Sequence, residues 1–168
     1  FCPVTGARRD KDEWVLSTPE GEIRCEYVVN ASGYRANEIG RMFGRDVPCI
    51  SLAHQYLVSE SIPELTALEK KLPLLRDPDS SYYLRQEKDG LLLGPYEKNC
   101  RAHWISDDDP RPDDFSFQLW NEDLERLEWY IEDACARVPL LGTGGIARVV
   151  NGPLPYTPDG LPLIGQMP

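Results

Sequence analysis

The sequence lacks any apolar run of the roughly 20 residues that a helix needs to cross a bilayer. Its N-terminus shows no basic stretch followed by an apolar core, which is the pattern of a secretory signal peptide. The formal net charge of -10 would repel phosphates, so a nucleic-acid or anionic-membrane surface is not expected. We therefore expect a soluble chain whose partners are small molecules or proteins.

Cysteine and histidine are too sparse and too scattered to predict a metal site. The five cysteines include no CxxC pair, and their odd number argues against a disulfide framework. Neither His54 nor His103 has a cysteine or carboxylate at ligand spacing, so a zinc site has no support. We expect reduced thiols in a reducing compartment, which is the cytoplasm, or the mitochondrial matrix if the source is eukaryotic.

The 168 residues, with 41% hydrophobic and 27% charged content, are enough to bury a core. The chain begins at Phe1 rather than methionine, and it stops at Pro168 soon after Leu163-Ile164-Gly165, which predicts the start of a strand. We expect both ends to be cuts within a longer protein.

Residues 4–45 have the order of a nucleotide-binding fold. Residues 4–31 alternate apolar runs with turn residues and predict a β-hairpin, after which 27–31 form a β-branched run that predicts a buried strand. This run ends in Ser32-Gly33, and a short helix is predicted at 36–43. A strand that runs into small residues lets the backbone approach a ligand. The alternative is a simple tight turn, and these residues alone leave both open.

The character of the chain changes after residue 45, where a separate domain is predicted. Residues 50–59 alternate as a strand, and 64–72 are typical of a helix. Residues 82–87 and 91–94 predict a hairpin about Lys88-Asp89-Gly90, because glycine accepts positive φ in a tight turn.

Residues 106–162 predict four further elements. In chain order these are an aspartate-rich solvated loop at 106–114, a helix capped by Asn121 and ended by Pro139, a short strand at 148–150 and a stiff loop at 152–162.

One segment, residues 142–147, formally matches a dinucleotide fingerprint. It follows a helix and precedes a strand, whereas a pyrophosphate cradle needs the opposite order. We therefore reject it as a cofactor motif and expect its glycines to end the preceding helix. A nucleophilic serine at Ser32 is also excluded, because the residue two before it is Asn30 rather than glycine.

A histidine in an alternating strand, such as His54, is more often packed or hydrogen-bonded than catalytic. Tyr82 and Tyr83 are predicted on opposite strand faces, so at most one of them looks into a given pocket. Arg85 and Glu87 share the Tyr83 face, and their alternation is equally typical of the polar side of a half-exposed sheet. The residues alone leave the site open.

Four segments together resemble one family, the flavin amine oxidoreductases of the D-amino-acid oxidase superfamily, and most closely its dimethylglycine and sarcosine dehydrogenase branch. In chain order the segments are Val28-Val29-Asn30-Ala31-Ser32-Gly33, His54-Gln55-Tyr56, Tyr82-Tyr83-Leu84-Arg85-Gln86-Glu87 with Gly94-Pro95-Tyr96-Glu97, and Asn151-Gly152-Pro153 with Thr157-Pro158-Asp159-Gly160.

The resemblance implies an α/β (α+β) fold, with part of an FAD-binding domain and a substrate domain of mostly antiparallel sheet with helices. It assigns 1–45 and the truncated return 146–168 to the FAD-binding domain, and 46–145 to the substrate-binding domain. The chain lacks the family's GxGxxG start and the folate-binding domain that often follows, so we expect an internal fragment that is inactive by itself. FAD is the implied cofactor, and its implied contacts are Ala31, Ser32, Gly33, Pro158, Asp159 and Gly160.

The implied activity is oxidation of a small N-methylated amino acid, of the dimethylglycine or sarcosine type, by hydride transfer to FAD. His54 is implied to hold the amine unprotonated and Tyr82 to orient the substrate, while Tyr96 and Arg85 bind it. This assignment requires the rings of His54 and Tyr82 to face one shared cavity. The electron acceptor, oxygen or an electron-transfer protein, is left open.

Two alternatives to this function also stay open. The first is a non-catalytic interaction module that keeps the flavin-oxidoreductase fold and binds a protein through its acidic surface. The second is an oxidase of another amine in the same superfamily. A flavin spectrum and its bleaching by candidate amines would separate the three.

Overall fold

The computed structural model describes residues 2–106 and 108–167. The two chain ends Phe1 and Pro168, and Asp107 of the predicted loop at 106–114, therefore lie outside the described residues. The chain divides into two compact units, one of residues 1–51 with 154–168 and one of residues 52–153. Which unit binds FAD and which binds substrate stays a prediction.

The first unit begins with a three-stranded antiparallel sheet in the order β1-β2-β3. Its strands are β1 (Gly6–Asp10), β2 (Glu13–Thr18) and β3 (Gly21–Cys25). Val15 is fully buried, while Arg24 forms exposed ion pairs with Asp10 and Glu13. The predicted hairpin is thus part of a three-stranded meander.

The strand predicted at 27–31 is not formed. This segment has no strand assignment, and Tyr27 and Val29 are 81% and 86% exposed. A β-branched run forms a strand only where a neighbouring strand pairs with its backbone, and no described strand does so here. A 3-10 turn, Gly33–Arg35, and the predicted helix α1 (Ala36–Met42) follow.

The second unit is built on a sheet that follows the order β5-β6-β7-β4-β8, with β9 also paired to β4, among the described residues. The pairs β5–β6, β6–β7 and β4–β7 are antiparallel. The elements from residue 50 onward are β4 (Ile50–Ser59), α2 (Pro63–Thr66), β5 (Leu75–Asp77), β6 (Tyr82–Glu87), β7 (Gly90–Pro95), β8 (Ala102–His103), α3 (Leu124–Arg137) and β9 (Ile146–Tyr156).

Helix α2 is much shorter than the helix predicted at 64–72. Leu68 and Leu72 are 44% and 42% exposed, so the later residues have no apolar face to bury. A short helix depends on such burial, because propensity alone does not sustain it in water.

Helix α3 packs Leu127, Tyr130 and Ala134 against the sheet. Its N-cap is Asp123, whose carboxylate accepts a hydrogen bond from the backbone N–H of Arg126, so the predicted cap at Asn121 is wrong by two residues. A 3-10 segment, Pro139–Thr143, follows the helix. In the described part of the chain no helix combines the length and apolarity that a membrane crossing needs.

Two other predictions about the C-terminal region are wrong. Strand β9 runs through Pro153 and Pro155, where a stiff loop was expected, because proline is compatible with a strand wherever its position needs no N–H. The segment 163–165 has no strand assignment, and Ile164 is 91% exposed.

The hairpin of β6 and β7 is formed as predicted, but its glycine has a different role. Positive φ falls on Lys88 (56°), and Gly90 is already in β7. A side chain at Gly90 would place its Cβ 2.8 Å from the backbone oxygen of Ser59. Gly90 therefore permits close approach of the two chain segments.

The aspartate-rich loop is bonded to Trp104, which precedes it in the chain. Asp109 accepts a hydrogen bond from the backbone N–H of Trp104 at 2.8 Å. Trp104 also packs against Phe115 and Trp120, with ring centroids 4.9 and 5.4 Å away. The aromatic side chains on both sides of the loop are therefore packed together.

Candidate active site

The central sheet has two faces, because successive residues of a strand point to opposite sides. Leu57, Leu93 and Leu84 are successive cross-strand partners, and all three lie in the core with the buried side chains of α3. We call this side the helix face. The other side we call the tyrosine face, and from β4, β6 and β7 it carries His54, Tyr56, Tyr83, Arg85 and Gly94.

Tyr82 lies on the helix face. Its side chain is fully buried, and its hydroxyl donates a hydrogen bond to Oδ2 of Asp133 on α3 at 3.0 Å. Burial, together with this bond, raises the pKa of Tyr82 to about 12. The expectation that Tyr82 and His54 face one cavity is therefore wrong, because the sheet separates their rings.

Of the two adjacent tyrosines of β6, Tyr83 is the one that shares a face with His54. Its cross-strand partner is Gly94, and the Tyr83 ring lies so close to this glycine that no side chain fits there. The ring of Tyr96 lies alongside, with centroids 5.8 Å apart. Burial raises the pKa of Tyr83, although Arg85 acts in the opposite direction, so the phenol keeps its proton and can donate a hydrogen bond.

His54 is largely buried on the tyrosine face, with 10% of its side chain exposed. Its Nδ1 lies 3.8 Å from Oε1 of Glu97. Burial is the largest influence on the pKa of His54 and lowers it, while Glu97 raises it and Arg126 lowers it. The imidazole is therefore mainly neutral at neutral pH, which is the form that accepts a proton.

Arg85 and Tyr96, the two predicted substrate-binding residues, lie near Tyr83. Arg85 is partly exposed and forms an ion pair with Glu87 at 2.5 Å. The guanidinium of Arg76, which is the β5 partner of Tyr83, lies 5.3 Å from the centroid of the Tyr96 ring. The guanidinium groups of Arg85 and Arg76 thus lie near the rings of Tyr83 and Tyr96. A guanidinium group is suited to bind a carboxylate.

A cavity of about 410 Å³ lies in the same unit, and two of its lining residues, Glu97 and Arg126, are also the charged residues that act on the pKa of His54. None of the catalytic or binding residues that the sequence predicts lines it. Its lining residues are Glu97, Lys98, Asn99, Arg126, Trp129 and Tyr130.

The first predicted flavin contact is the turn at residues 31–33, in the other unit. Asn30 orders this turn, because its side chain donates to the carbonyl of Ala36 at 2.8 Å and accepts from the Ser32 hydroxyl at 2.5 Å. Gly33 has φ +58°, with no other atom near the position of a Cβ. The exposed turn therefore presents backbone and small side chains, which fits the approach of a dinucleotide.

The second predicted flavin contact is the turn at residues 158–160. Oδ1 of Asp159 accepts from the backbone N–H of Leu161 at 3.0 Å and from the Thr157 hydroxyl at 3.1 Å, and these bonds lower the pKa of Asp159. The turn is exposed and carries no bulky side chain, so it also fits a dinucleotide. Asp159 shapes the turn through its own hydrogen bonds.

Comparison with known proteins shows the family to which the chain belongs. The family model described as FAD dependent oxidoreductase matches residues 1–168. Mitochondrial dimethylglycine dehydrogenase of Rattus norvegicus is 44% identical over 169 residues, which cover 98% of this chain and 20% of that protein. Mitochondrial sarcosine dehydrogenase of Homo sapiens is 38% identical over 173 residues, which cover 99% of this chain and 18% of that protein.

Among solved structures, L-proline dehydrogenase from P. horikoshii matches with a TM-score of 0.73 at 24% identity, over 99% of this chain and 41% of that one. At this identity the likeness shows the fold alone. It confirms the predicted mixed α/β class.

The chain belongs to the FAD-dependent oxidoreductase family, as predicted. Within that family it resembles the dimethylglycine and sarcosine dehydrogenases, which confirms the predicted branch. The chain spans about a fifth of the length of these relatives.

Proposed function

We propose that the protein containing this chain oxidises a small N-methylated amino acid of the dimethylglycine or sarcosine type. The observation that carries the proposal is that His54, Tyr83 and Arg85 share the tyrosine face. The similarity to two dehydrogenases named for such substrates supports the same class of reaction.

Each of the three side chains has a role that follows from its chemistry. His54 accepts a proton from the substrate ammonium, because the carbon next to nitrogen releases hydride only when the nitrogen lone pair is free to form the iminium. Tyr83 orients the substrate through its hydroxyl, and Arg85 pairs with the substrate carboxylate beside Tyr96. FAD, when bound through the turns at 31–33 and 158–160, supplies the hydride acceptor.

We further propose a mitochondrial matrix location if the source is eukaryotic, and a cytoplasmic one otherwise. The mitochondrial relatives support the first, and the five free cysteines fit either reducing compartment. The reoxidant is oxygen or an electron-transfer protein, and the rate of reoxidation in air separates the two.

The test uses the full-length, flavin-loaded protein under anaerobic conditions. Sarcosine or dimethylglycine should bleach the visible flavin absorbance. Arg85→Gln should raise KM by about 10- to 100-fold, the equivalent of a lost charge-assisted hydrogen bond. Arg8→Gln, which removes an exposed ion pair with Glu22 on the small sheet, is the control.

Three outcomes decide between the candidates. Absence of flavin from the purified protein would favour the interaction module. Flavin that neither amino acid bleaches, but another amine does, would favour the second alternative. An unchanged KM in Arg85→Gln would remove Arg85 from substrate binding.

A further inference from the structure

A buried carboxylate lies just beyond the end of β7, beside β4. The Glu97 side chain is 3% exposed, and its Oε1 accepts a hydrogen bond from the backbone N–H of Gln55 at 2.8 Å. β7 ends at Pro95, so Glu97 supplies an acceptor that a neighbouring strand would otherwise provide. A neutral acceptor could meet that need without the cost of burying a charge, so the charge itself calls for an explanation.

Arg126 of α3 completes the arrangement. Its Nη2 donates to Oε2 of Glu97 at 2.5 Å and to the backbone carbonyl of Ala53 at 2.9 Å. Ala53 and Gln55 are the residues on either side of His54. The Glu97–Arg126 pair is therefore bonded to the backbone of β4 both before and after the histidine, and Arg126 provides the countercharge that a buried carboxylate needs.

The same two charges act on the His54 ring. Among the described residues, the charges that shift the pKa of His54 are Glu97, which raises it, and Arg126, which lowers it. Burial lowers the pKa of His54 more than either charge changes it, and Arg126 offsets part of the effect of Glu97, so the imidazole lies 3.8 Å from a buried carboxylate without becoming a permanent cation. Removing Glu97 alone would lower the pKa of His54, and removing Arg126 alone would raise it.

We propose that Glu97 and Arg126 are positioning residues for His54, fixing the strand on both sides of it and balancing the charge beside its ring. This inference rests on the proposed function, in which His54 accepts the substrate proton. It assigns a role to two side chains to which the proposed function gives none.

The test measures two quantities in the full-length, flavin-loaded protein: the pH dependence of flavin reduction and the NMR titration of the His54 imidazole, identified by its loss in His54→Gln. Glu97→Gln keeps an acceptor for the Gln55 N–H and leaves Arg126 unopposed. Both the acidic limb and the titration should then move to lower pH by about one unit.

Arg126→Gln leaves Glu97 unopposed, so both quantities should move to higher pH by about one unit. Arg126→Lys retains the charge and should bring both most of the way back. Opposite signs for two partners of one ion pair are not expected from a loss of packing, which would affect both variants alike. Arg8→Gln should change neither quantity.

Shifts of the same sign in Glu97→Gln and Arg126→Gln, or no shift in either, would overturn the inference. If Glu97→Gln fails to fold, the sign of the Arg126→Gln shift decides by itself. The proposed function fails separately: unchanged flavin reduction in His54→Gln removes the catalytic role of His54, whereas the NMR titration still reports the charge balance around the ring in the variants that retain it.

Discussion

Tyr82 and Tyr83 are adjacent in the chain, yet their hydroxyls have different neighbours. The Tyr82 hydroxyl donates to Asp133 and ties β6 to α3. The Tyr83 ring lies over Gly94 beside Tyr96, on the face that also carries His54. We therefore propose a role in substrate binding for Tyr83 and a structural role for Tyr82.

Replacing each tyrosine by phenylalanine should separate these roles. We expect Tyr83→Phe to slow flavin reduction by roughly 10- to 100-fold, because the hydrogen bond that orients the substrate is lost. Tyr82→Phe should leave the rate unchanged and lower the free energy of unfolding by about 1 kcal/mol, the usual contribution of one hydrogen bond. Stopped-flow absorbance and urea unfolding measure the two effects. A slower reaction in Tyr82→Phe alone would reverse the assignment.

The location of this proposed site could be predicted only in part from the sequence. His54 and Arg85 could be singled out, but selecting between Tyr82 and Tyr83 required the register between β4 and β6, which depends on β7 pairing with both. One signal was present in the hairpin, because a two-residue turn at Lys88-Asp89 places Tyr83 opposite Gly94. A glycine opposite a tyrosine leaves room for the ring to lie across the neighbouring strand.

Among the elements, α3 covers the helix face of the sheet and completes the core. Leu127 is fully buried in it, whereas Glu128 beside it is exposed. Leu127→Ala should lower the free energy of unfolding by about 2 to 5 kcal/mol, because it removes buried methyl groups and leaves a cavity. Glu128→Ala should change it by less than about 0.5 kcal/mol. Urea unfolding compares them, and equal effects would contradict this packing.

The elements that sequence could predict are those with a local cause. α3 follows from apolar residues at helical spacing, and the β6–β7 hairpin follows from its turn. β9 and the segment 27–31 depend on strand partners instead. Proline and glycine in β9 therefore predicted a loop where a strand forms, and the β-branched residues of 27–31 predicted a strand where none forms. α2 is short because the apolar residues that follow it, Leu68 and Leu72, stay 44% and 42% exposed.

At the scale of the whole molecule, stability should depend on pH through both histidines. Burial lowers the pKa of His54 and of His103 below 6.5 in the folded chain. The folded state therefore binds fewer protons than the unfolded state as pH falls below 6.5. Their contribution to stability is complete above 6.5 and is lost as the pH falls through the folded-state values.

Urea unfolding midpoints between about pH 7.5 and pH 5 measure this dependence. Each of the variants His54→Gln and His103→Gln should flatten the decline relative to the wild-type chain. A decline of the same steepness in both variants would assign the acid sensitivity to carboxylates. The chain carries 28 acidic residues against 18 basic ones, which makes that comparison necessary.

The Glu97–Arg126 pair reaches the backbone around His54 from the side of α3. A selection for enzymes with an altered pH optimum should therefore enrich substitutions at Arg126, on a helix that packs against the sheet surface opposite Tyr83. If His54 has the proposed role, the pH optimum would thus be set in part from a helix that carries none of the proposed substrate-binding residues.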